Sequence, residues 1–375
     1  MSRPDPVTQF RSPMHWPRVL FVLKHRESPW GDYGCGPDRS HPGRCAATGQ
    51  TMSSGLRNSV HFVAGMLRTI GVTADIVVVR DDNDIDREVA AHRPTHVVIE
   101  ALWVVPEKFD VLKPLHTNVV WIVRNHSELP FLANEGIAMQ WIAGYLARNI
   151  EVMCNSPRGL EDIRALARAF CLPDRLVTCG PNFYPITDAG PLASRLDRTA
   201  PMIRIGCFGA VRPLKNHLTQ AVAAVAFARS LGKRLEFHVN GTRVEGSGEP
   251  VLKNLRAMFE GVHDARLIEH GWLEHRDFLR LVGEMDAVMQ VSFTETFNIV
   301  SADAAAAGVP VIASDEVPWL GKYGHADPTS VASMVAILTD VWSEPAPLMR
   351  LRAQRRDLHA YGQRSEAVWR ERLGI

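Results

Sequence analysis

Short runs of branched apolar residues alternate with longer amphipathic segments along most of the chain, and the alternation starts twice. The first series opens with "RVLFVLK" (18–24), the amphipathic "LRNSVHFVAGMLRTIG" (56–71) ending at a glycine, and "ADIVVVR" (74–80). It continues through "DREVAAHR", "HVVIEAL", "NVVWIVRNH", "GIAMQWIAGYLARN", "IEVMCNS" and "PRGLEDIRALARAF", the last with proline at the first helical position. A proline-rich stretch without periodicity, 179–201, then reads as a linker. After it come "IRIGCFG", "NHLTQAVAAVAFARSLG", "RLEFHVNG", "VLKNLRAMFEG", "RLIEHG", "HRDFLRLVGEM", "DAVMQVS", "NIVSADAAAAG" and "PVIAS". Near-continuous Val/Ile strands separated by helices specify parallel sheets covered on both faces. The expectation is an α/β chain of two doubly wound, Rossmann-like units facing a cleft, with ligands at the carboxyl ends of the strands.

A chain of 375 residues, 46% of them hydrophobic, suits two cores better than one. Apolar stretches such as "THVVIEALWVVP" (95–106) fall short of the roughly 20 residues that span a bilayer. The N-terminus has no apolar core followed by small residues, so no secretory signal is read and cytoplasmic residence is expected. Six cysteines without a Cys-x-x-Cys pair imply free thiols, and Cys35, His41 and Cys45 match no usual zinc spacing. No metal is therefore expected. Residues 1–60 and 350–375 each carry an excess of four basic residues, although the net charge is only +1.

Two places carry chemistry. In "GCFGAVRPLKNH" the loop beyond Gly209 sets Arg212 and Lys215 between a strand end and a helix N-terminus, an arrangement suited to a diphosphate. In "SFTETFNIVSADAAAAGVPVIAS" (292–314), Glu295 lies in a loop, a helix begins near Asn298, and Asp303 follows inside it. First-turn amides of Asn298, Ile299 and Val300 are free to meet phosphate. Carboxylates beside a phosphate would repel it, so Glu295 and Asp303 are better matched to hydroxyl groups. Phosphate flanked by hydroxyl-bearing groups describes a nucleotide sugar.

Together these pieces, with "LEFHVNG" and "HGWLEHRDFLRLVGEMDAVMQVS", resemble the C-terminal half of GT-B glycosyltransferases, specifically the retaining type that carries a Glu-x7-Glu motif. The resemblance implies that Arg212 and Lys215 hold the donor diphosphate, Glu295 contacts the donor sugar, and Asp303 binds the ribose. It further implies a nucleotide-sugar co-substrate, a UDP-sugar being favoured, with no other cofactor. Asp303 stands where the second Glu is usual, and Asn298 where Gly is usual. The shorter side chain at 303 puts the ribose contact in question, and Asn298 narrows the loop around the phosphate.

The N-terminal half resembles the same group through "VLFVLKHR", "SSGLRNSVHFVAGMLRTIG", "WIVRNHSE" and "IEVMCNS". Ser53, Ser54 and Gly55 allow close backbone approach to a ligand. His126, at a strand end, corresponds to a His that touches the donor sugar. The long segment 27–52 is expected at the acceptor side. The implied division is an acceptor domain over 1–190, a donor domain over 191–349, and a helix over 350–375 crossing back to the first.

Segments of the N-terminal half also look like transferases encoded by tailed bacteriophages. The acceptor that this resemblance suggests is a 5-hydroxymethylpyrimidine, such as 5-hydroxymethylcytosine, in phage DNA, in the host cytoplasm. The alternatives are a cell-surface glycan, a lipid or a small metabolite, or, from another class, a non-catalytic nucleotide-sugar or DNA-binding protein.

Overall fold

The computed structural model describes residues 16–25, 55–186, 197–343 and 347–375. The segment 27–52, Ser53 and Ser54, the Cys35/His41/Cys45 group, and the middle of the expected linker therefore lie outside the described residues.

Among the described residues, eleven strands form two parallel sheets. The first contains β1 (Arg18–Lys24), β2 (Thr73–Val79), β3 (His96–Glu100), β4 (Val120–Asn125), β5 (Glu151–Cys154) and β6 (Val177–Cys179), in the order β2-β1-β3-β4-β5-β6. The second contains β7 (Met202–Gly206), β8 (Arg234–Val239), β9 (Ala265–Glu269), β10 (Ala287–Gln290) and β11 (Val311–Ala313), in the order β11-β10-β7-β8-β9. All pairings are parallel. The central strands are apolar and buried on both faces, as in "RVLFVLK", whose five inner residues are all inaccessible.

The helices are α1 (Gly55–Thr69), α2 (Asp84–His92), α3 (Phe109–Leu115), α4 (Leu129–Leu132), α5 (Ala138–Ala147), α6 (Pro157–Ala169), α7 (His217–Ser230), α8 (Glu249–Glu260), α9 (His275–Val282), α10 (Ile299–Ala307), α11 (Val331–Ser343) and α12 (Pro347–Leu373). In α1 the buried Val60, Val63, Ala64 and Leu67 recur at helical spacing and face the first sheet. Helix α6 starts where its sequence dictates: Ser156 accepts the amide of Gly159 as N-cap, and Pro157 fills the first position. In α10, Ser301 through Ala305 are all buried, small enough to pack closely against the second sheet and α12, and Gly308 ends the helix at φ 75°.

One reading of the sequence needs correction. The linker expected from residue 179 begins inside β6, which is too short to show a period of its own. The acids Asp84 and Asp86 sit in the first turn of α2, where negative charge complements the helix dipole.

Helix α12 starts against the second sheet and ends on the first. Its Leu358 and Tyr361 pack with α10 and β11, while Gln354 donates to the carbonyl of Val309 and accepts from the amide of Val311. Farther along, Trp369 is fully buried, edge-on to Phe21 of β1 at 6.1 Å, and donates to the carbonyl of Pro181. Loops beyond the carboxyl ends of strands from both sheets meet at one cleft.

Candidate active site

In a doubly wound sheet the crevice opens where neighbouring strands connect in opposite directions. In the second sheet that place lies between β7 and β10. The loop after β7 carries Gly209, Arg212 and Lys215, and the loop after β10 carries Glu295 and Asn298. Gly209 adopts φ 106°, open to glycine, and its amide donates to Asn240 Oδ1 at 2.8 Å.

A cleft of about 330 Å³ is lined by Arg212, Lys215, Thr294 and Glu295 from this side, and by His126, Glu128 and Phe131 from the other. Lys215 forms an ion pair with Glu295, their side chains 14% and 9% exposed. Burial lowers the Lys215 ammonium pKa, with Glu295 opposing the shift. Arg212 lays its guanidinium over the Phe131 ring at 4.6 Å, and its Nε is buried with no hydrogen-bond partner. The same guanidinium lies 3.8 Å from Glu245 through its Nη1.

His126 follows the last residue of β4 and contributes to the same wall. Its Nε2 donates to Glu100, the last residue of β3, and its Nδ1 accepts from Asn155 at 3.3 Å. Burial drives the His126 pKa down, with Glu100 opposing. Burial would push the Glu100 carboxyl up, but Arg124 and His126 outweigh it and hold its pKa below the ordinary value. The pair is therefore an ionised carboxylate fixing the tautomer of a neutral imidazole. Arg124, also fully buried, ties Glu100 to the chain crossing between the sheets through Gly180 and Asn182.

A second cavity of about 420 Å³ is lined by Gly55, Asn58, Gly209, Asn240, Trp272, His275, Ile299, Val300 and Asp303, among others. The N-terminus of α1 meets that of α10 here: a Cβ built on Gly55 would lie 3.4 Å from Ile299 Cγ2. Glu295 and Asp303, read from the sequence as two hydroxyl acceptors, open into different cavities on either side of the α10 N-terminus.

Asn298 lies at the start of α10, where the sequence sets it. It is the N-cap of α10 at φ 60°, and its Oδ1 accepts from Ser301 N at 2.9 Å. Its Nδ2 donates to Glu295 Oε1 and Gln290 Oε1, both at 3.0 Å. The first-turn amides of Ile299 and Val300, which precede the first intrahelical bond, remain to face a ligand.

Asp303 is 3% exposed at its side chain and accepts two hydrogen bonds at Oδ1, from Tyr184 at 2.7 Å and His275 Nε2 at 2.8 Å. Burial raises the Asp303 pKa, with His275 opposing. The hydrogen bond to Asp303 in turn raises that of His275.

Sequence reasoning did not flag Glu100, Glu128, Asn155, Tyr184 or His275. The available signal was position: Glu100 ends a strand, Glu128 caps a helix just past one, and His275 begins a helix after one. Among the described residues no three His, Cys, Asp or Glu side chains gather to hold a metal ion.

Solved structures share this architecture over nearly the whole chain. The α,α-trehalose-phosphate synthase of Burkholderia vietnamiensis superposes with a TM-score of 0.63 at 12% identity, covering 95% of this chain and 96% of that one. The sucrose-phosphate synthase of Thermosynechococcus elongatus gives 0.62 at 15% identity over 95% and 98%. An Anabaena protein solved in complex with UDP and glucose gives 0.59 at 12% identity over 94% and 96%. The fold is GT-B.

Within this GT-B chain, residues 203–332 match the family model described as "Glycosyl transferases group 1". The region covers the sheet that bears Arg212, Lys215, Glu295 and Asp303. The glycogen synthase of Mycobacterium tuberculosis is 26% identical over 227 residues, which is 56% of this chain and 52% of the relative. The GT-B chain thus spans about half the length of the curated relatives it matches. No helix among its described residues is long and apolar enough to cross a membrane.

Proposed function

We propose that the chain is a nucleotide-sugar-dependent glycosyltransferase that carries its donor between the two cavities. The observation that carries this reading is the grouping of the Lys215–Glu295 pair, the unsatisfied Arg212 Nε and His126 in one cleft beside the α10 N-terminus. Arg212, Lys215 and the amides of Ile299 and Val300 hold the diphosphate. Glu295 and His126 contact the donor sugar, while the nucleoside occupies the second cavity beside Gly209, Gly55 and Asp303. Residues 191–349 form the donor domain, 1–190 the acceptor domain, and 350–375 the returning helix. A UDP-sugar is the favoured co-substrate, in keeping with the UDP named for the Anabaena neighbour.

The reaction retains anomeric configuration in this reading. The acceptor oxygen attacks the anomeric carbon on the face the diphosphate leaves, and the C1–O bond breaks with its electron pair passing to the diphosphate. The acceptor proton moves to that departing oxygen. Arg212 and Lys215 stabilise the charge that grows there, within a water-poor cleft where such interactions are strongest. The support for retention is the resemblance of the donor half to the retaining Glu-x7-Glu type.

The acceptor proposed for first trial is the hydroxymethyl group of a modified pyrimidine in DNA, in a host cytoplasm. This rests on the resemblance of N-terminal segments to phage-encoded transferases. The protein is incubated with 5-hydroxymethylcytosine DNA and a panel of nucleotide sugars, and the digested nucleosides are weighed. A hexose-sized mass gain supports the DNA acceptor. Release of nucleoside diphosphate with unchanged nucleosides keeps the transferase reading and redirects the acceptor search to glycans, lipids and small metabolites.

A further inference from the structure

The second cavity joins two environments. Trp272, Leu273, Phe278 and Val300 make an apolar wall suited to a base, and the amides at the start of α10 suit phosphate. His275, the first residue of α9, lines the same cavity. Its Nε2 hydrogen is committed to Asp303, and the ring is braced by Phe62 of α1, centroids 5.9 Å apart. Phe62 also meets Tyr184 edge-on at 5.1 Å, and Tyr184 gives its hydroxyl hydrogen to the same Asp303 oxygen. The Asp303 carboxylate is thus withdrawn and doubly bonded, 3% exposed, whereas the imidazole is 25% exposed on the cavity wall. The bond to Asp303 engages Nε2, which leaves Nδ1 as the ring's other polar atom.

We propose that His275, not Asp303, presents the polar atom that recognises the nucleotide ribose, and that Asp303 and Tyr184 are positioning residues that orient its ring. The inference rests on the donor-site reading above and assigns the ribose contact within it. An imidazole nitrogen accepts from a hydroxyl when neutral and donates to one when protonated, so Nδ1 matches a ribose diol in either state. One methylene shorter than the glutamate usual at this position, Asp303 does not need to reach the ligand. It reaches His275 instead.

Isothermal titration of the full chain with UDP, 2′,3′-dideoxy-UDP and inorganic pyrophosphate tests this. Wild type is expected to bind UDP about tenfold or more tighter than the dideoxy form, the worth of one or two hydrogen bonds. His275→Ala should bind both nucleotides equally while pyrophosphate affinity stays as in wild type. His275→Phe, which keeps a ring against Phe62, should behave as His275→Ala and guards against a folding defect. Either folded variant retaining the wild-type preference for UDP overturns the inference. In that case, weakening of UDP by Lys215→Ala leaves the donor-site reading standing. Failure of wild type to bind either UDP or pyrophosphate removes that reading and the inference with it.

Discussion

Lys215 and Glu295 lie 80 positions apart in sequence and meet as an ion pair where the loops after β7 and β10 converge. Neither is free to ignore the other, because both are largely shielded from water. Glu295→Ala leaves Lys215 buried without its counter-charge and should cost about 3 kcal/mol in denaturant unfolding. Saturating UDP should restore part of that loss, since phosphate replaces the missing carboxylate. In turnover assays Glu295→Ala and Lys215→Ala should each fall by about 100-fold or more.

Asn298 holds Glu295 in place while capping α10. Asn298→Gly installs the residue usual in the resembling family and suits the positive φ, so stability should change by less than about 1 kcal/mol. The carboxylate loses its tether, and kcat should drop about tenfold. An unchanged kcat would mean that Lys215 alone orients Glu295.

Glu128 supplies a pH signature. Burial lifts its carboxyl to about 7, with the hydrogen bond from Ser156 and the nearby Arg158 opposing. A raised folded-state value means that folding favours the protonated form. This contribution to stability is complete below the ordinary carboxyl value of 4.5 and is lost as pH climbs through about 7. Glu128→Gln, permanently neutral, should therefore raise the melting temperature relative to wild type at pH 8.5 and make little difference at pH 4.5. An equal effect at both pH values would contradict the assignment.

Trp369 ties α12 to the first sheet. Trp369→Ala should cost about 3–5 kcal/mol, because the ring is fully buried against Phe21 and beneath Arg124. Trp369→Phe keeps an aromatic ring but loses the donor to Pro181, and should cost about 1–2 kcal/mol. Unfolding in urea distinguishes the two.

The fold was legible because its strands are short, near-continuous apolar runs and helices such as α1, α6, α8 and α9 carry clear periodicity. "RVLFVLK" and "RLEFHV" could be little else. Strand β6 was not legible, being three residues against a proline-rich stretch. The placement of Glu295 in a loop before a helix starting near Asn298 was also readable. What it touches was not, since Lys215 arrives from another strand. His275 and Tyr184 reach Asp303 from 28 and 119 positions away. Glu100 likewise finds His126 across two neighbouring strands, a proximity that parallel pairing creates and no local pattern records.

The central claim is that this cleft activates a nucleotide sugar, and the most direct measurement is release of nucleoside diphosphate from a panel of donors. At least one donor, a UDP-sugar first among them, should yield its diphosphate with wild type, and both Lys215→Ala and Glu295→Ala should abolish most of that release. No release or binding with any donor, or release undiminished in both variants, would contradict the account.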